Sequence, residues 1–198
     1  TLKHPSASGN NLELASDGNV SITNTLSAGT IGSSVVFPTG MLTGIAHLAY
    51  ENNGAGGSTA TNANVIRPLN KEIFQYNCPT TITSNEITFD EAGKYILQGA
   101  GAAYAINRHI MRIYENTGST LLFTGSTMKA HSSYGGSSQS WVTGDVVIAS
   151  NEITAGSSER KFGFYHIAEV GRATIGMGED EPNSTVEQFL QVYIYRVS

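Results

Sequence analysis

The chain has 198 residues, of which 39 % are hydrophobic and 14 % charged, and a formal net charge of −5. That length holds one medium domain with an appendage or two small domains, and an acidic balance without a run of Lys or Arg excludes a nucleic-acid binder, which needs a basic face to neutralise phosphates. No apolar stretch approaches the ~20 residues of a membrane-spanning helix, and the single cysteine, Cys78, can form no disulfide within the chain, so packing or sister chains must hold the fold.

The first residues, Thr1-Leu2-Lys3-His4-Pro5, carry neither an initiator Met nor a signal-peptide core, which points to a processed chain or a piece of a longer one. Residues 1–38 are rich in Ser, Asn, Gly and Thr. Their sparse apolar positions alternate, Leu12 with Leu14 and Val20 with Ile22, around Asp17-Gly18, which is a hairpin signal. A second apolar group follows at Leu26, Ile31, Val35, Val36 and Phe37. A lone hairpin cannot bury enough apolar area to offset chain entropy. The alternation therefore favours an extended shaft or docking arm shared with sister chains over a flexible linker. Residues 39–66 read as a connector: 44–50 is a short strand or a helical turn, and the glycine-rich 52–59 is a flexible loop by composition.

From residue 67 onward, short alternating runs are separated by turns. Runs at 94–97, 108–114, 120–124, 140–149 and 161–168 are strands by their β-branched and aromatic content. The last segment, 189–197, fits a helical stripe through Val186, Phe189, Leu190, Tyr193 and Val197, but Leu190, Val192 and Ile194 alternate against Tyr193 and Tyr195, which favours a strand. Many short strands without a long helix predict an all-β, antiparallel jelly-roll sandwich of about ten strands over 67–198.

The order of three phrases carries a resemblance: Arg67-Pro68-Leu69-Asn70, then Ser84-Asn85-Glu86-Ile87-Thr88-Phe89-Asp90-Glu91-Ala92-Gly93-Lys94-Tyr95, then Arg108-His109-Ile110-Met111-Arg112-Ile113-Tyr114. Together with the closing strand, they resemble the C-terminal jelly roll of bacteriophage tail-fibre and virion appendage proteins, a group similar to the tumour-necrosis-factor and complement globular-head superfamily. The stretches 3–12 and 29–38 resemble connector phrases of marine phage structural proteins. The resemblance implies a ten-stranded sandwich that forms a homotrimer through one sheet, no catalysis, and a place on the tail or capsid surface of a virion. Attachment to a bacterial surface glycan or protein, or capsid decoration, would be its role, with the arm contacting other virion proteins. It puts Tyr193 and Tyr195 at the trimer interface; the shaft reading adds Leu12, Leu14, Val20 and Ile22, hidden along an axis shared with sister chains. A secreted cytokine-like or complement-like trimeric ligand is the alternative, and a glycan-degrading enzyme on a β scaffold is the second.

The residues offer little local chemistry. None of the five histidines has zinc-site spacing, and there is no Gly-x-Ser-x-Gly elbow. His109 and Arg112 fall on opposite faces of one strand. The acidic run Glu179-Asp180-Glu181 reads as a solvated loop rather than a calcium site, and Cys78 as a small packing residue. No cofactor or metal is called for. The small residues of 98–103 leave room for something bulky, either a core side chain such as Trp141 or a closing tyrosine, or a neighbouring subunit. The loop 129–138 has the Tyr-Ser-Gly composition of binding loops, which makes His131 and Tyr134, with Arg172 and the acidic loop as second choices, the expected recognition surface.

Overall fold

The computed structural model describes residues 12–14, 20–22, 41–116, 118–153, 159–180 and 186–197. The chain divides into two units, Thr1–Phe37 and Pro38–Ser198. In the first, β1 (Leu12–Leu14) and β2 (Val20–Ile22) pair antiparallel with Leu12 opposite Ile22 and Leu14 opposite Val20, the hairpin that the alternation predicts. The side chains of Leu12, Leu14, Val20 and Ile22, expected at a subunit interface, lie outside the described residues, as does the apolar group 26–37.

The second unit is a two-layer antiparallel sandwich. One sheet runs β12 (Ser137–Ile148), β8 (Gly93–Tyr104), β14 (Glu187–Val197), β3 (Leu42–Asn52), β5 (Lys71–Tyr76). The other runs β10 (Thr120–Thr124), β9 (Asn107–Glu115), β13 (Phe162–Ala168), β7 (Glu86–Phe89), β6 (Thr80–Thr83), with the short β11 (Met128–Ala130) on β9 and β4 (Val65–Ile66) on β13. Sequence neighbours repeatedly sit in opposite sheets or are separated by a later strand, as in a jelly roll. Ten principal strands and two short ones therefore make the expected fold class.

Alternation explains why these segments are strands. In β12, Val142, Val146 and Ile148 are buried, whereas Trp141 and Val147 point out. In β14, Leu190, Val192 and Ile194 are buried, and the strand pairs with β8 on one side and β3 on the other, which rules out the helical stripe. Leu48, Tyr95, Leu97, Met111, Ile113, Phe162 and Phe164 complete the core between the sheets.

Two expectations are corrected here. Residues 39–66 do more than connect the units, because β3 is an interior strand bonded to both β14 and β5. Its small residues hid it: Gly44 and Ala46 take core-facing places where larger side chains would advertise a strand, and a Cβ on Gly44 would collide with the backbone of Asn77. The 52–59 segment, read as a flexible loop, is fastened to 172–178 by Gly56 N–H to Gly178 O, Gly57 N–H to Thr174 O, Thr59 N–H to Arg172 O and Met177 N–H to Gly57 O, all at 2.8–3.0 Å. Gly57 at φ +114° permits that close approach.

The small-residue run 98–103 also resolves. Gly99 faces the Phe164 ring, and Gly101 faces Met111 Sδ and the Arg67 guanidinium. The bulky partner thus belongs to the core but is Phe164 rather than Trp141 or the closing tyrosines, which stand on the far side of the sheet. Cys78 is fully buried, its thiol 3.8 Å from Ile194 O and pushed up to about 11 by burial, as suits a packing residue.

Candidate interaction surfaces

The outward face of the five-stranded sheet carries aromatic and aliphatic side chains among amides and a few charges. Paired residues in adjacent strands share a face, so the register assembles rows. One row is Phe74–His47–Tyr193–Gln98–Thr143, and the next is Tyr76–Ile45–Tyr195–Ile96–Asp145. Phe74, Tyr76 and Trp141 are 45 %, 64 % and 43 % exposed. A cleft of about 650 Å³ between Leu42, Ile96, Phe123 and Val197 lies toward one end, with Lys94 and Asp145 at its border. A second, of about 300 Å³, is lined by Trp141, Tyr193, Tyr195 and the amides of Gln98, Gln139 and Gln191. Tyr193 and Tyr195, expected at a subunit interface, stand half-buried on the outside of the sheet.

A second feature, which the sequence does not announce, is a buried chain of polar groups across the sandwich. Arg67 is fully buried. Its guanidinium donates to Ala102 O at 2.8 Å, Met177 O at 3.0 Å, Phe189 O at 2.6 Å and His166 Nδ1 at 2.6 Å. His166 Nε2 meets His109 Nδ1 at 2.8 Å, and His109 Nε2 meets Ser138 Oγ at 2.6 Å. Burial lowers Arg67 to about 9, so it stays charged at neutral pH and can only donate. That fixes every proton in the chain: His166 accepts at Nδ1 and donates from Nε2, and His109 accepts at Nδ1 and donates to Ser138. The serine–histidine contact therefore runs opposite to a catalytic dyad, in which the imidazole must accept the hydroxyl proton.

Both imidazoles are held neutral. Burial, then the Arg67 charge, lowers His109 to about 4, and burial, Arg67 and His109 lower His166 well below its usual value. Because the folded form binds fewer protons than the unfolded chain, these groups stabilise the fold fully above pH ~6.5, and that contribution drains away as pH falls toward 4. For His109 alone the loss is roughly 3 kcal/mol. Urea midpoints at fixed chain concentration are expected to drop steeply between pH 6.5 and 4, and the drop is expected to shrink in His109→Gln. A midpoint independent of pH over that interval would contradict the relay as drawn.

The loop residues expected to recognise a partner are brought close together but play different parts. Tyr134 is 85 % exposed and its ring lies 4.7 Å from that of His131. Arg172 is half-buried and spends its head internally, Nε donating to Ala105 O and Nη2 to Ser132 O, each at 3.0 Å. It braces the loop that carries His131 and Tyr134 rather than extending from it. Beside this loop, Tyr104, Gly135, Ser138, Glu179, Asp180 and Gln188 line a cleft of about 570 Å³, so the acidic segment and the tyrosine loop border one concavity. Among the described residues, no group of three or more His, Cys, Asp or Glu gathers as a metal site, and Glu181 lies outside them.

No family model matches the chain, and no curated protein does. Among solved structures, murine APRIL at pH 8.0 is similar at 9 % identity, covering 77 % of this chain and 98 % of that one with a TM-score of 0.49. Eiger TNF from S. frugiperda is similar at 9 % identity over 78 % of this chain and 92 % of that one, with a TM-score of 0.46. Identities this low concern the fold alone, and the two-sheet strand order above establishes the jelly roll independently.

Proposed function

We propose that this chain is a non-catalytic recognition module that assembles as a homotrimer through the outward face of its five-stranded sheet and displays the 131–135 and 179–180 loops to a partner. The carrying observation is that face, with aromatic side chains projecting from the β5 edge and an apolar cleft between Leu42, Ile96 and Val197 toward the other. A projection and a cleft at different places on one molecule form a head-to-tail contact, which closes into a ring when the rotation allows. Weak loop contacts repeated on each copy then gain strength by multivalency. The donor polarity of His109 toward Ser138 supports the absence of serine-type catalysis.

Two settings for such a module differ in the partner. A virion appendage, on the tail or capsid surface, is carried by the order of sequence phrases alone. A cytokine-like trimeric ligand is favoured by the ten-stranded sandwich with aromatics exposed on one sheet face, the architecture that the resemblance to the tumour-necrosis-factor and complement-head superfamily implies. Sedimentation equilibrium tests the shared core of both: a mass near three times 21.0 kDa is expected, and a single-chain mass at all concentrations would overturn it.

A further inference from the structure

His47 sits on the outward sheet face, halfway along β3 and between β14 and the edge strand β5. Its ring stacks on Tyr193 with centroids 4.3 Å apart and planes 15° apart, and Phe74 is its register partner on the other side. Its Nε2 is buried and has no hydrogen-bond partner. An unpaired buried imidazole nitrogen is tolerable when the ring is neutral and costly when it carries a charge. The titratable groups on the elements beside it are Glu187, Tyr193, Tyr195 and Arg196 on β14, Lys71, Glu72 and Tyr76 on β5, and Tyr50 and Glu51 on its own strand. Glu51 favours the charged ring, but burial outweighs it and lowers the histidine.

We propose that His47 is an acid-sensitive latch of the self-association face: neutral, it is covered by a neighbouring copy; protonated, it keeps that face open to water. This rests on the self-association reading and adds its regulation. Covering the ring deepens its desolvation, so assembly favours the neutral form, is strongest above the titration of His47 and weakens as pH falls through it. Each copy that must shed a proton weakens assembly about tenfold per pH unit below that titration, up to about a thousandfold per unit for three copies.

Sedimentation of the full chain at pH 7.5 and pH 5, with far-UV circular dichroism to confirm that the fold persists, tests the latch. The wild type is expected to be multi-chain at pH 7.5 and to dissociate at pH 5, whereas His47→Gln stays assembled at both. Should His47→Gln fail to assemble at pH 7.5, His47→Phe takes its place, and failure of both overturns the latch. A wild type assembled at both pH values overturns the latch and leaves self-association standing. Dissociation of wild type and variant alike at pH 5 assigns the effect to other groups, the buried relay first among them, and overturns the latch too. A single-chain wild type at pH 7.5 overturns the self-association reading itself.

Discussion

Replacing Arg67 with Met is expected to lower unfolding stability by about 3 kcal/mol, a large share of the roughly 5–15 kcal/mol that holds a domain folded. The guanidinium serves Ala102 O, Met177 O, Phe189 O and His166 Nδ1, all deep in the molecule. Methionine fills much of the volume but leaves four acceptors unserved, each at a cost of about 1–3 kcal/mol. One effect opposes this. Burial lowers the guanidinium from 12.5 to about 9, an unfavourable charge burial of roughly 5 kcal/mol that the substitution relieves. Four unsatisfied acceptors outweigh that relief. Arg67→Lys keeps a charge but offers fewer donors and is expected to fall between Met and wild type. Denaturant midpoints at fixed chain concentration check both; a midpoint unchanged or raised in Arg67→Met would mean that charge burial dominates and that the carbonyls find other partners.

The second large effect concerns assembly rather than folding. Ile96→Asp is expected to convert the multi-chain species to a single chain of 21.0 kDa with an unchanged circular dichroism spectrum. Ile96 points away from the core, beside Tyr195 and opposite Asp145, so the isolated fold loses only about 1 kcal/mol, to repulsion between the two facing carboxylates. In the assembly, however, an unpaired carboxylate enters an apolar contact in every copy, at several kcal/mol each, and the assembly constant is expected to fall at least about a thousandfold. Leu121→Asp is the matched control, since Leu121 is 44 % exposed on β10 of the other sheet and its variant should assemble normally. Loss of assembly in both variants, or in neither, would refute the assignment of the face.

These expectations show which parts of the molecule its sequence encodes locally. Alternation in β12 separates Val142, Val146 and Ile148 from Trp141, Thr143 and Asp145, and the polar members of the second set reveal which side faces out. The same logic recovers β8 and β14, and with them the outward placement of Tyr193 and Tyr195. It fails for β3, whose core side is built partly from Gly44 and Ala46 because Asn77 crowds it. It fails more completely for the relay, whose members Arg67, His109, Ser138 and His166 lie 29 to 99 positions apart along the contacts that join them. Periodicity reports a residue's face on its own strand and carries no information on which strand lies across the core. His109 and His166 could therefore be placed on inward faces but not next to each other. Arg172 illustrates the same limit: its residue type suits ligand binding, but its neighbours in space are backbone carbonyls of two loops, and these consume its donors.

Trp141 reports on the proposed contact directly, because it is the one tryptophan in the chain and stands on that face at 43 % exposure. Its emission and its quenching by acrylamide can be followed as the protein is diluted through the assembly transition. Blue-shifted, quencher-protected emission is expected at high concentration, turning red-shifted and quenchable as the mass falls to one chain, with Ile96→Asp showing the second behaviour throughout. Emission that stays equally quenchable while the protein is multi-chain would place the contact elsewhere and contradict the account.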